Sequence, residues 1–133
     1  MANLHNYHGR YCEAEFESTF LSYLEEAGWS YLAGSSLPRS SMRDVLYTDD
    51  MEFFLNRTNP DLTADEIQQI MDTVRLAGSE SDFATLHKVY DWMVNGIQFT
   101  PQAALPRMVN LIEFEDPEKN VFRAVNQFTV EYT

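Results

Sequence analysis

The side chains that could carry out chemistry are few and widely spaced. The chain has 133 residues, with three histidines and one cysteine. His5 and His8 lie in a polar N-terminal stretch, and His87 stands alone in a helical pattern, so none of them has the spacing of a metal site. No histidine pattern stands out that would activate Cys12, which favours a packed thiol over a nucleophile. The sequence therefore predicts no metal site and no catalytic cysteine in this chain.

Composition and charge exclude further classes of function. The five glycines are scattered and form no phosphate-binding loop, so no cofactor-binding residues are predicted. The formal net charge of -12 repels a phosphate backbone, and we do not expect this chain alone to bind DNA tightly. A single cysteine excludes an internal disulfide framework. With no secretory signal and no membrane-length apolar run, we expect a cytoplasmic protein.

Apolar residues at helical spacing predict four helices, at 12–27, at 49–56, after Thr63, and at 82–94. Thr48 or Asp49 is the expected cap of the second helix, and Thr63 with Glu66 forms a capping box for the third. The apolar stripes expected to be buried are Phe16, Phe20, Tyr23, Leu24 and Ala27 in the first helix, Ile67, Ile70, Met71 and Val74 in the third, and Phe83, Leu86, Val89, Tyr90 and Met93 in the fourth.

The strand predictions lie mainly in the last third. Short strands are expected at 29–32 and 97–100. Residues 107–114 and 122–132, joined by a turn at 116–120, predict a long antiparallel hairpin. The fold class is α+β, with helices at the N-terminal side packing on a small sheet that ends in this hairpin. A terminal hairpin leaves strand edges open, so we expect either a truncated polypeptide or a partner that completes the sheet.

Several short stretches, taken in order, resemble the N-terminal part of the R (restriction and translocation) subunit of type I restriction enzymes. The stretches are 12–17 (CEAEFE), 24–29 (LEEAGW), 43–46 (RDVL), 55–62 (LNRTNPDL), 94–97 (VNGI), 109–114 (VNLIEF), 116–120 (DPEKN) and 126–130 (NQFTV). Two residues depart from the family pattern. Cys12 stands where the family has Ser or Thr, and Glu113 stands where it often has Asp.

The resemblance implies an incomplete restriction-endonuclease-like domain. Residues 1–10 would be a loose segment, and 11–133 would be the N-terminal part of a nuclease domain truncated before its catalytic core. In the family, Arg-Pro-Asp and Glu-x-Lys elements follow the Asn-Gln-Phe strand and form the metal-binding nuclease centre, and ATP-binding motor motifs come later. This chain contains none of them, so we expect it to be inactive alone and to hold no cofactor.

Activity, cofactors and partners would then belong to the longer parent protein. The resemblance implies ATP-dependent translocation along DNA and Mg²⁺-dependent phosphodiester hydrolysis. It also implies the modification and specificity subunits, and DNA, as partners. No membrane partner is implied.

Two residues of this chain are singled out by the resemblance. A glutamate on the opening helix of related nucleases can approach the metal, and Glu13 matches that position best, with Glu17 one turn on. Glu13 is therefore a candidate auxiliary carboxylate, although a helix-dipole role is the simpler interpretation. Asn126 is a polar residue on the more apolar face of its strand, so it must find a hydrogen-bond partner if it is buried.

Two functions of other classes stay open. The chain could be a free-standing acidic interaction module, for example a mimic of DNA charge that inhibits a nucleic-acid enzyme, since its net charge is -12. It could also be a structural module whose open hairpin edge pairs with a partner. The sequence that follows codon 133 in the source gene would distinguish these from the first reading.

Overall fold

The predicted helices and several of the predicted strands form, with shifted ends. The computed structural model describes residues 12–39, 41, 45–79 and 81–131. The elements are α1 (Glu13–Glu26), β1 (Ser30–Ala33), α2 (Thr48–Thr58), α3 (Ala64–Arg75), α4 (Asp82–Asn95), β2 (Ile97–Phe99), β3 (Arg107–Val109) and β4 (Arg123–Asn126). Helices and short strands together confirm the α+β class. Residues 1–10, with His5 and His8, lie outside the described residues.

The first of two compact units combines the two ends of the chain, Met1–Val45 and Phe122–Thr133. In it, β1 and β4 pair in parallel, with Ser30 opposite Arg123 and Ala33 opposite Asn126. The α1 helix contacts both strands. Trp29 and Phe122, just before the two strands, bring their ring centroids to 5.3 Å.

The predicted hairpin between 107–114 and 122–132 is wrong. β3 pairs instead with β2 in an antiparallel ladder, and β4 pairs with the distant β1. The residues between β3 and β4 form a loop with a short 3-10 turn at Pro117–Lys119. In this loop the Asn120 side chain accepts from the Glu113 N–H and donates to the Glu113 carbonyl oxygen, each at 2.8 Å. Alternation of apolar and polar residues identifies extended chain, but it does not choose the partner strand.

The second unit, Leu46–Val121, contains its own hydrophobic core. Helices α2 and α3 pack together there, and the β2–β3 ladder contributes one residue from each strand. The core residues are Phe54, Leu55, Leu62, Ile67, Ile70, Met71, Ile97 and Val109. Gly96, with φ of +87°, ends α4 as predicted, and a Cβ at this position would come within 2.8 Å of the Val109 carbonyl oxygen. The turn from α4 into β2 therefore requires glycine.

Of the two predicted helix caps, that of α3 is confirmed and that of α2 is wrong. The Thr63 hydroxyl accepts from the Glu66 N–H at 3.2 Å, and the Glu66 carboxylate accepts from the Thr63 N–H at 3.0 Å, which confirms the capping box. The N-cap of α2 is Tyr47, without a side-chain cap, rather than Thr48 or Asp49. Both of those residues lie inside the helix, where their backbone N–H groups belong to the first turn.

Two of the three predicted apolar stripes are not buried. The stripe of α3 is buried, with Ile67, Ile70 and Met71 in the core and Val74 packed against it. In α1 and α4, by contrast, most of each predicted stripe faces solvent, and only Leu24 and Val89 are half-buried. The exposed members are Phe16, Phe20 and Tyr23 of α1, and Phe83, Leu86, Tyr90 and Met93 of α4. Helical spacing reveals an apolar face, but it does not establish that anything in this chain covers it.

Candidate functional site

A polar cleft lies between α1 and the two parallel strands of the first unit. Its volume is about 270 Å³, and it is open to solvent. It is lined by Ala14, Glu17, Ser18, Leu21, Ser22 and Glu25 of α1, by Tyr31 of β1 and by Asn126 of β4. Carboxylate, hydroxyl and amide groups outnumber apolar side chains in this lining, so the cleft suits a polar ligand or water better than an apolar one.

The strand side of the cleft is held by a side-chain hydrogen bond. The Tyr31 hydroxyl donates to Asn126 Oδ1 at 2.9 Å. The register explains the contact, because Tyr31 lies opposite Ala124 and Asn126 is two residues further along the same face of β4. Asn126 was predicted to need a hydrogen-bond partner if it is buried; it is half-buried, and its Oδ1 has that partner.

The carboxyl ends of β1 and β4 meet closely at Gly34. A Cβ at this position would lie 2.3 Å from the Gln127 carbonyl oxygen and 2.6 Å from that of Asn126. Gln127 itself has φ of +51°, in the left-handed region that non-glycine residues seldom adopt. This backbone change ends β4 and directs the Gln127 side chain to α1, where its Nε2 donates to Glu17 Oε1 at 3.4 Å.

The candidate carboxylate from the sequence, Glu13, does not line this cleft. It is the first residue of α1 and is exposed. Glu17, one turn further, is half-buried and lines the cleft together with Glu25. An auxiliary catalytic role for Glu13 stays a prediction, whereas Glu17 is the opening-helix acid that contacts Gln127 at the end of β4.

The remaining candidates from the sequence are not brought together. Cys12 precedes α1 and is exposed, so the expectation of a packed thiol is wrong. His87 lies on α4, with its ring 6.5 Å from that of Phe83. Within the described residues, no group of three histidine, cysteine, aspartate or glutamate side chains is placed to hold a metal ion.

Charged side chains of the second unit form hydrogen bonds that hold its loops in place. Arg107 of β3 donates to both carboxylate oxygens of Asp61, at 2.6 and 3.2 Å, and to Asn59 Oδ1 at 2.9 Å. This guanidinium holds the pKa of Asp61 below its ordinary value. The pKa of Glu66 is also lowered, chiefly because its carboxylate accepts from the Thr63 backbone N–H and then from that of Gln102. Both are exposed structural contacts rather than parts of the cleft.

Sequence reasoning missed Tyr31, Ser18 and Ser22 as cleft residues. The spacing of Ala14, Ser18 and Ser22 with Leu21 and Glu25 does place them on one helical face, opposite the aromatic residues. The buried side of this helix was assigned to the aromatic residues instead. Gly34 also had a signal, as a glycine directly after a strand, but only the strand partner shows what it approaches.

None of the described helices is long and apolar enough to cross a bilayer.

Comparison with known proteins identifies the family. The chain is similar to the MjaIXP endonuclease subunit of a type I restriction enzyme from Methanocaldococcus jannaschii, at 31% identity over 87% of this chain and 12% of the relative. It is also similar to the type I restriction enzyme HindI endonuclease subunit of Haemophilus influenzae, at 26% identity over 89% of this chain and 12% of the relative. The chain thus spans about an eighth of the length of these relatives. No solved structure matches it. Residues 10–133 match the family described as type I restriction enzyme R protein N terminus, and the chain belongs to that family.

Proposed function

We propose that this chain acts as the N-terminal region of the DNA-cleaving R subunit of a type I restriction enzyme, working in the cytoplasm. The observation that carries the proposal is the family match over residues 10–133. Two relatives named as endonuclease subunits support it. The longer subunit would translocate DNA with ATP and cleave it, together with modification and specificity subunits.

In this proposal the segment supplies framework for a nuclease centre rather than the whole centre. A hard cation such as Mg²⁺ takes about six oxygen ligands, including carboxylates. The cleft offers Glu17, Glu25 and the Asn126 amide oxygen, but that oxygen already accepts from Tyr31. No group of three acidic or imidazole ligands converges within the described residues. The donor set does not fit a complete Mg²⁺ site, so we derive no chemical step through the metal.

The contribution of this chain's own residues is positional. The close contact at Gly34 and the Tyr31–Asn126 hydrogen bond hold the ends of two parallel strands together beneath α1. Ligands of open α/β sheets bind beyond the carboxyl ends of parallel strands. Further strands of the longer subunit would therefore add catalytic carboxylates at this end of the strands. Glu17, which accepts from Gln127 directly after β4, is the acid of α1 that contacts this end.

The test compares two proteins from the same gene. The 133-residue chain and the full-length product of the source gene are each incubated with plasmid, Mg²⁺ and ATP, with and without the modification and specificity subunits. We expect ATP-dependent cleavage only from the full-length product with both subunits. Cleavage by the 133-residue chain alone would contradict the framework role. An open reading frame that stops at codon 133 would contradict the proposal as a whole and favour the acidic interaction module.

A further inference from the structure

The α1 helix has its aromatic side turned away from the unit to which it belongs. Phe16, Phe20 and Tyr23 follow one another at spacings of four and three residues, which places them in a line along one face. They are 66%, 56% and 55% exposed. The opposite face, with Ser18, Ser22 and the other cleft residues, lies towards the strands. We call Phe16, Phe20 and Tyr23 the outward stripe.

The outward stripe is large enough to be the main apolar patch of a protein of this size. Each aromatic side chain buries about 150–250 Å² when covered, so three that are more than half exposed present roughly 350 Å² of mostly apolar surface. Apolar patches of about 300–600 Å² are the largest found on typical monomers and often mark interaction sites. A partner surface that covers this stripe would therefore stabilise the complex through hydrophobic burial.

The charges beside the stripe restrict what can cover it. The helix contains five glutamates and no lysine or arginine. By helical geometry, Glu13 lies along one flank of the stripe and Glu26 along the other. A complementary surface would therefore have an apolar centre and lysine or arginine side chains at its rim.

A second copy of this chain fits that description poorly. A stable dimer needs about 800 Å² buried on each partner, which is more than twice the area of the stripe. Two copies would also bring glutamate flanks of the same charge together, with a net charge of -12 on each chain. A surface on the same polypeptide needs less area, because the covalent connection raises its effective concentration.

We propose that the outward stripe is an internal docking surface of the R subunit, covered by a basic-rimmed apolar surface in the part of the subunit outside this segment. The inference rests on the proposed function, since it requires the longer polypeptide. Its support is that this segment corresponds to only 12% of each relative, so most of those subunits lies outside it.

Hydroxyl-radical footprinting, which measures the solvent access of individual aromatic side chains, tests the docking directly. The 133-residue chain and the full-length subunit are oxidised under the same conditions, and modification is quantified at each residue of the stripe. We expect oxidation of Phe16, Phe20 and Tyr23 to fall about fivefold in the full-length subunit, as water is excluded from the centre of an interface. Phe114, which is 64% exposed in the second unit, is the matched control and should change little.

Two results would overturn the docking surface. One is equal oxidation of the stripe in both proteins. The other is protection in the 133-residue chain that increases with its concentration, which would assign the stripe to a second copy. Cleavage assays on the same preparation separate this inference from the proposed function. If the subunit cleaves DNA while the stripe is still oxidised as in the 133-residue chain, only the docking is contradicted. If the stripe is protected but the subunit never cleaves DNA, only the proposed function is contradicted.

Discussion

At the scale of single residues, the absence of a side chain at Gly34 allows the ends of two strands to meet. The carbonyl oxygens of Asn126 and Gln127 occupy the space that a Cβ at Gly34 would need. Both are backbone atoms, so they cannot move aside as the end of a flexible side chain would. The geometry of the cleft therefore depends on a residue that takes no part in its lining.

Replacing Gly34 with alanine should destabilise the first unit by about 2 kcal/mol or more, since overpacking against fixed backbone typically costs 1–3 kcal/mol. Urea unfolding, followed by tryptophan fluorescence, to which Trp29 just before β1 contributes, measures the change. Gly78→Ala is the matched control, because a Cβ there meets nothing within 4 Å. The control should stay within about 0.5 kcal/mol of the natural protein. Equal effects of the two substitutions would contradict the close approach at Gly34.

The hydrogen bond between Tyr31 and Asn126 is the second prediction at this scale. Tyr31→Phe removes only the hydroxyl that donates to Asn126 Oδ1, and it should lower the free energy of unfolding by about 0.5–1.5 kcal/mol. Tyr90→Phe, at an exposed position on α4, serves as the control. A double-mutant cycle with Asn126→Ala should give a coupling of about 0.5 kcal/mol or more, whereas strict additivity would argue against the bond.

At the scale of elements, the capping box of α3 connects local sequence to a distant loop. Glu66 accepts from the Thr63 N–H through Oε1 and from the Gln102 N–H through Oε2 at 3.1 Å. One carboxylate therefore caps a helix and holds the loop before β3. The first contact is readable from the sequence because it spans three residues. The second becomes visible only when the chain is folded.

These contacts predict how the stability of the second unit depends on pH. Because the folded pKa of Glu66 lies below its ordinary value of 4.5, its contribution is fully present above pH 4.5 and is lost as the pH falls through the folded value. Glu66→Gln should therefore flatten the loss of stability in acid, measured as urea midpoints over a pH series. Thr63→Ala, which keeps the carboxylate, should cost about 1 kcal/mol at neutral pH and retain the acid dependence. A Glu66→Gln profile as steep as that of the natural protein would contradict this account.

At the scale of the whole molecule, the residues of the second unit are inserted in the sequence between the two segments that form the first. The chain forms α1 and β1, builds the complete second unit from Leu46 to Val121, and then returns to add β4 beside β1. The hydrophobic core cluster of the second unit lies entirely within the inserted stretch. The second unit therefore has what a folding unit needs, whereas the parallel strand pair is formed only when both ends of the chain are present.

We expect residues 46–121, expressed alone, to fold and to unfold cooperatively in urea. Within this piece, Leu55→Ala should cost about 2–5 kcal/mol, because the Leu55 side chain is fully buried and its removal leaves a cavity. Leu76→Ala, at a position that is 71% exposed, is the control and should stay within about 0.5 kcal/mol. A piece that shows no cooperative transition would mean that the second unit depends on the rest of the chain.

The sequence alone determined the features that depend on neighbouring residues. The four helices, the capping box at Thr63 and the stop at Gly96 all follow from interactions within about one helical turn. The family resemblance was also readable, because it depends on the order of short motifs rather than on their contacts. It correctly indicated the N-terminal region of a type I restriction R subunit.

Only the tertiary structure decided which surfaces meet. The predicted hairpin was wrong because alternation of apolar and polar residues defines a strand but does not determine its partner. β4 pairs with β1, which lies near the other end of the chain. The predicted burial of the α1 and α4 stripes was wrong because an amphipathic pattern does not identify what covers the apolar side. The polar cleft with Glu17, Tyr31 and Asn126 was hidden for the same physical reason, since side chains far apart in sequence meet only after the strands have chosen their partners.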